Sequence, residues 1–152
     1  MVSLATMEIV FAQIEHLEAA AGLFDQYRVF YQQPSDLETA KSFLQARFNA
    51  RDSAILLAVD NARAVGFVQL YPSFSSVAMK RIWILNDLFV ERSYRQQGVG
   101  RLLITAAEHH AKETGAIRLI LAAQIANTVA QSLYESLGYH KDAAFYHYAL
   151  QL

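Results

Sequence analysis

Over the first fifty residues the apolar positions recur mainly at three- and four-residue intervals; from Ser53 onward they alternate or run together. Met7 to Phe11 alternates enough for a first strand. Ile14, Leu17, Ala21 and Phe24 share a helical spacing that Tyr27 and Tyr31 extend, which predicts a helix over 15–31, ended by Pro34. Ser35 with Glu38 three positions later forms a capping-box pattern, and Leu37, Ala40, Phe43, Leu44 and Phe48 mark a second helix.

The middle of the chain reads as strands. Ile55 to Val59, the polar turn Asp60–Arg63 and Val65 to Tyr71 predict a β-hairpin, followed by a loop over Pro72–Ser76. Ile82 to Val90 is a long apolar strand of the kind buried on both faces. A glycine-containing loop, Arg95-Gln96-Gln97-Gly98-Val99-Gly100, follows it. Leu102, Leu103, Ala106, Ala107, His110 and Ala111 then form the stripe of a helix stopped near Gly115. Ile117 to Ala122 is another buried-type strand. Asn127 can cap a helix with Ala130, Leu133, Tyr134 and Leu137 on its stripe, ended by Gly138, and Phe145 to Leu150 supplies a last strand. The order β-α-α-β-β-β-α-β-α-β predicts a mixed α/β fold with a strand–loop–helix unit at its centre.

Composition narrows the chemistry. With 152 residues, 54% of them hydrophobic and 18% charged, the chain fits one globular domain spanning 1–152. A net charge of −1 lacks the basic excess of a nucleic-acid binder. There is no cysteine, which removes disulfides, thiolate metal sites and thiol nucleophiles. His109, His110 and His147 form no metal-ligand constellation, so no metal is expected. The first residues lack a basic region, and no apolar run approaches the ~20 residues that span a bilayer. A soluble cytoplasmic protein without membrane or nucleic-acid partners is the expectation.

A strand that runs into Gly98 and Gly100 at the head of a helix is an arrangement that binds phosphates. Glycine lets backbone N–H groups approach the ligand, and the helix start adds favourable partial charge. A triphosphatase loop would need Lys-Ser/Thr after Gly100, where Arg101 and Leu102 stand. A dinucleotide fingerprint would need a third glycine where Leu103 stands. Arg92, Arg95 and Arg101 concentrate positive charge around the loop.

Two stretches resemble a known family. Val90 to Leu103, with Arg95-Gln96-Gln97-Gly98-Val99-Gly100 inside it, resembles the Arg/Gln-x-x-Gly-x-Gly/Ala signature of the GNAT N-acetyltransferases. Asn127-Thr128-Val129-Ala130-Gln131-Ser132-Leu133-Tyr134, running on to Gly138-Tyr139, is similar to the family's later Asn-x-x-Ala-x-x-Leu-Tyr segment. The chain departs from the pattern at Arg92, where the family often has proline, and at Gln96, where it often has glycine. Ile84 to Val90 is similar to the small-amine and polyamine branch, and it also resembles a group acting on amino acids, amino-phosphonates or histone tails. The resemblance implies a mostly antiparallel central sheet of about six to seven strands flanked by about four helices. It also implies acetyl-CoA as the acyl donor, a primary amine of a small molecule as the acceptor, and a homodimer with the C-terminal strand at the contact.

The resemblance further assigns roles. The pyrophosphate goes to backbone amides from Gln96 to Arg101, with Arg95 opening the signature, and the pantetheine arm to the strand backbone at Leu88, Phe89 and Val90. Asn127 contacts the arm, and Tyr134 protonates the departing thiolate during direct attack by the amine. By spacing alone, Tyr134 is equally a residue of the apolar stripe and Asn127 a helix cap. Asp87, within an apolar strand, needs a partner: it is either general base or amine anchor, or a structural carboxylate bonded to its neighbours. Asn86 faces the other side of that strand unless a bulge intervenes. Tyr27, Tyr31, Tyr71, Phe74, Trp83 and Asn86 are candidates for the acceptor pocket, where aromatics can hold an ammonium. A non-catalytic acetyl-CoA sensor and a protein or peptide N-acetyltransferase stand as the alternatives.

Overall fold

The computed structural model describes all 152 residues. The chain divides into two compact units, Met1–Leu121 and Ala122–Leu152. The first holds β1 (Met7–Phe11), α1 (Leu17–Phe30), α2 (Leu37–Ala50), β2 (Ala54–Asp60), β3 (Arg63–Ser75), β4 (Lys80–Val90), α3 (Val99–Glu113) and β5 (Leu119–Leu121). The second holds α4 (Thr128–Ser136). No helix is long and apolar enough to cross a membrane.

Strand order follows chain order, β1 to β5, antiparallel throughout except that β5 runs parallel to β4. Alternation divides the side chains between two layers. Ile55, Leu57, Phe67 and Phe89 pack with Leu17, Ala20, Ala21, Leu23 and Phe24 of α1 and with Ala40 and Leu44 of α2. The intervening Leu56, Ala58 and Val68 point to the other layer, where α3 buries Val99, Leu103, Ile104, Ala107 and Ala111. Gly66 belongs to that second layer: a Cβ on it would sit 2.9 Å from the Phe89 carbonyl oxygen and 3.3 Å from Leu103.

Four expectations need correction. The helix α2 is capped by Asp36, whose carboxylate accepts from Thr39 N–H (3.1 Å), and not by Ser35. Ser35 donates instead to Asp25 (2.6 Å), which also accepts from Asp36 N–H (2.7 Å), so one buried carboxylate clamps the α1–α2 turn. Pro72–Ser76 is not a loop, because β3 runs on to Ser75 with Pro72 opposite Trp83. Trp83 gives its own N–H to Arg118 on the β5 side, and β2 ends at Ala54 opposite Leu70. The N–H that proline lacks would therefore have met no partner strand. The strand at Ile117–Ala122 shortens to Leu119–Leu121. Finally, the segment Phe145–Leu150 joins no sheet, so the sheet has five strands rather than six or seven. Tyr146, Tyr148 and Leu150 are left exposed there.

Candidate functional site

The glycine loop lies between β4 and α3. After a single turn of 3-10 helix at Arg92–Tyr94, the chain turns through Gln96 at φ 60° and Gly98 at φ 89°. Gly98 is the N-cap of α3 and offers no side chain to the helix start. The first helical bond runs from Leu102 N–H to the Gly98 carbonyl (3.1 Å). The amides before it precede any helical acceptor and form a ready anion cradle. Gln96 adopts without glycine the conformation for which the family often uses one, at a cost of about 1 kcal/mol.

Arg95 is engaged within the protein. Its Nε donates to the Val90 carbonyl (2.7 Å), and its guanidinium lies over the rings of Phe30 (5.4 Å) and Phe89 (5.2 Å). Of the three arginines read as a charge cluster, this one ties the loop to β4 and α1.

The strand β4 carries the second part of the site. Gln69 pairs with Asp87 and Leu70 with Leu85, leaving Asn86 unopposed in a β-bulge. The extra residue reverses the alternation. Before it, Trp83 faces α3: its indole donates to Thr114 (2.8 Å) and its ring lies 5.0 Å from His110. After it, Asp87 and Phe89 face α1 and α2. Trp83 is therefore absent from any pocket on the α1 side. Phe74 is exposed at the hairpin's end, where the Arg81 guanidinium lies between it and Trp83 (5.2 and 5.4 Å), and it too stands apart from Asp87.

Asp87 and Gln69 are buried beneath α1, with half-buried Tyr27 and the exposed bulge residue Asn86 beside them. The carboxylate, 4% exposed, accepts from Gln69 Nε2 (2.7 Å) and from Asn86 Nδ2 (3.1 Å), and the Tyr27 phenol lies within reach of its charge. Burial, then the Asp87 charge, pushes the Tyr27 phenol far above its ordinary range. The same causes push the Tyr71 phenol up to about 12. Both are neutral donors at any working pH. The Tyr31 ring lies tilted against that of Tyr27, centroids 4.9 Å apart. Gln69, fully buried, was missed by sequence reasoning; its Oε1 meets no donor. A buried glutamine in an apolar strand was its only signal.

Beyond the bulge, β4 has an open edge. Glu91 N–H donates to the Val65 carbonyl (2.8 Å), which makes Gly66 and Val90 a non-hydrogen-bonded pair. The N–H and C=O of Val90, and by alternation those of Leu88, therefore point away from β3, while Phe89 bonds toward it. β5 pairs with β4 only at Trp83–Leu85. Past Leu85 no strand pairs with that edge, so it can accept an extended ligand.

In the second unit, Asn127 is the N-cap of α4 and its side chain accepts from Ala130 N–H (3.1 Å). Tyr134 lies two turns further on, buried, with its ring 6.0 Å from Tyr139.

A model of the acetyltransferase (GNAT) family matches residues 18–139. YhfO, an uncharacterized N-acetyltransferase of Bacillus subtilis (strain 168), is 49% identical over 146 residues, covering 96% of this chain and 98% of its own. The crystal structure of a probable acetyltransferase superposes with a TM-score of 0.91 at 43% identity, over 95% of this chain and 97% of that one. More distantly, an aminoglycoside N-acetyltransferase in complex with CoA, AAC(6')-Iy, shares the fold with a TM-score of 0.78 at 24% identity, over 96% and 95% of the two chains.

Proposed function

This chain belongs to the acetyltransferase (GNAT) family and is an N-acetyltransferase, and we propose that it moves the acetyl group of acetyl-CoA to a primary amine of a small molecule. Asp87 carries the acceptor half of this reading. It is a deeply buried carboxylate whose bonded partners Gln69 and Asn86, and whose neighbour Tyr27, are all neutral. Such a group is best satisfied by a cation, and an alkylammonium supplies one together with the proton that must leave before attack.

The cofactor half rests on the loop and the open edge. The amides from Gln96 to Arg101 at the start of α3, with Arg95 holding the loop in place, take the pyrophosphate. The outward backbone of Leu88 and Val90, flanking Phe89, pairs with the pantetheine arm, and a backbone N–H there faces the thioester oxygen. Asn127 contacts the arm with its side-chain amide. Tyr27, Tyr31, Tyr71 and Asn86 line the acceptor side; Phe74, on the other layer, is left out.

In the reaction, Asp87 accepts a proton from the bound ammonium, directly or through water. The free amine nitrogen then attacks the thioester carbonyl carbon. As the tetrahedral intermediate collapses, the C–S bond breaks, Tyr134 gives its proton to the departing thiolate, and the second proton of the attacking nitrogen is lost through water, which restores the Tyr134 phenol. The products are the acetamide and CoA. The activity is assigned to residues 1–152 as one acetyltransferase domain, in a cytoplasmic homodimer that covers the exposed C-terminal segment.

Release of free thiol from acetyl-CoA tests this, with polyamines, amino acids, aminoalkylphosphonates and a peptide as acceptors. Turnover on the small amines, reduced roughly a hundredfold in Tyr134→Phe, is the expected result. Binding of acetyl-CoA without transfer to any acceptor would make the protein a sensor, and transfer to the peptide alone would make it a protein acetyltransferase.

A further inference from the structure

Val2 and Leu4, near the start of the chain, lie against the glycine loop. Val2 N–H donates to Oε1 of Gln97 (2.7 Å), while Nε2 of the same side chain donates to the Ser93 carbonyl (2.9 Å). Both ends of the Gln97 amide are thus spent on bracing. Leu4 lies over Gly98, its Cδ1 3.2 Å from where a Cβ would stand. Further along, Thr6 donates to Asp60 Oδ1 (2.8 Å), and the Tyr94 hydroxyl donates to Oδ2 of the same carboxylate (3.1 Å). Asp60 closes β2 at the hairpin turn. The N-terminal segment is therefore fastened on both sides of Gln96, to Tyr94 through Asp60 and to Gln97 directly.

That placement matters because of what Gln96 is. At φ 60° it holds a conformation that costs a side-chain-bearing residue, and the bends at Gln96 and Gly98 aim the amides at the start of α3. A strained loop persists where its surroundings over-determine it. None of the strap's bonds goes to the amides of Val99 or Gly100; they go to the Gln97 side chain and to Asp60. The strap thus braces the loop without occupying its donors.

We propose that Gln97, latched to the N-terminal segment, is a positioning residue that holds the loop in its ligand-ready form and so sets the affinity for the CoA pyrophosphate. The latch rests on the assignment of this loop to acetyl-CoA. It acts on binding and leaves the chemical step alone.

The test uses the full chain and CoA as titrant, in calorimetry, with steady-state kinetics alongside. Gln97→Met keeps the size of the side chain and removes both hydrogen bonds; Leu4→Ser loosens the other contact of the strap. Each is expected to weaken CoA binding and raise the KM for acetyl-CoA roughly three- to tenfold. The amine KM and kcat at saturating acetyl-CoA should change less than about twofold, the pattern of lost uniform binding. The double variant should be little weaker than the worse single one, because both act through one strap. Thermal melts of both variants show whether the fold is kept.

Unchanged CoA affinity in both variants overturns the latch, as does tighter binding, which would make the strap a cover. Effects that multiply in the double variant also overturn it, since the two contacts would then be independent. A wild-type chain that binds no CoA removes the cofactor assignment and the latch together; wild-type binding with indifferent variants removes the latch alone.

Discussion

The glycine loop before α3 and the bulge on β4 are built on opposite terms. At the loop the chemistry belongs to the backbone: the cradle is a row of amides, and the side chains of Arg95 and Gln97 point back into the protein as fasteners. At the bulge the chemistry belongs to side chains: buried Asp87 is met by Gln69, Asn86 and Tyr27, and the backbone serves to turn it toward α1. A backbone site tolerates changes of residue that keep its φ and ψ. A buried side-chain site does not tolerate the loss of one hydrogen-bonding atom.

Substitutions can break or sharpen that contrast. Asp87→Asn keeps shape and removes charge, and kcat/KM for the amine should fall by roughly a hundredfold or more, with the KM for acetyl-CoA little changed. An equal rise in both Michaelis constants would mean that Asp87 shapes the fold and not the acceptor site. Gln69→Leu should cost about 1–3 kcal/mol in urea unfolding, because Asp87 loses a buried donor. A neutral result would show the carboxylate satisfied without Gln69, Asn86 being its other bonded donor. Gln96→Gly, on the tolerant side, should gain at most about 1 kcal/mol. It should also leave CoA affinity within about threefold, since the amides stay in place.

The smallest effect is expected outside both regions. Burial holds the His110 imidazole below its ordinary range, opposed by Glu113 and reinforced by Arg81. The folded chain therefore binds fewer protons here than the unfolded one below ~6.5, and stability drops as pH falls through that value. Melting temperatures between pH 8 and pH 5 should decline less in His110→Phe than in the wild type.

The loop was legible because a backbone site leaves its mark locally: two glycines, a strand before and a helix after. The arrangement at Asp87 was not. Trp83, Leu85, Asp87 and Phe89 are all odd-numbered, so alternation alone places them on one face, and only the pairing of β3 with β4 reveals the extra residue at Asn86. A bulge is a property of two strands, and neither carries it by itself. Pro72 misled for a related reason, since its cost depends on which neighbour its nitrogen faces. Residues 145–150 have the alternation of a strand and no partner in the sheet, because pattern specifies a face and not a neighbour. Gln97 and Val2 are 95 positions apart, a distance no local signal spans.

The short pairing of β5 with β4 also bears on how this protein survives among other chains. A strand edge left unpaired is open to any extended peptide, which is how sheets are recruited into aggregates. Here the exposed run is brief, ends at a bulge, and has a cationic side chain bonded across it from Arg95 to Val90. Brevity, a bulge and a charge are the devices that natural sheets use to discourage strangers. On the proposed reading the same few residues form the working edge and the vulnerable one, and a bound ligand there would also be a guard.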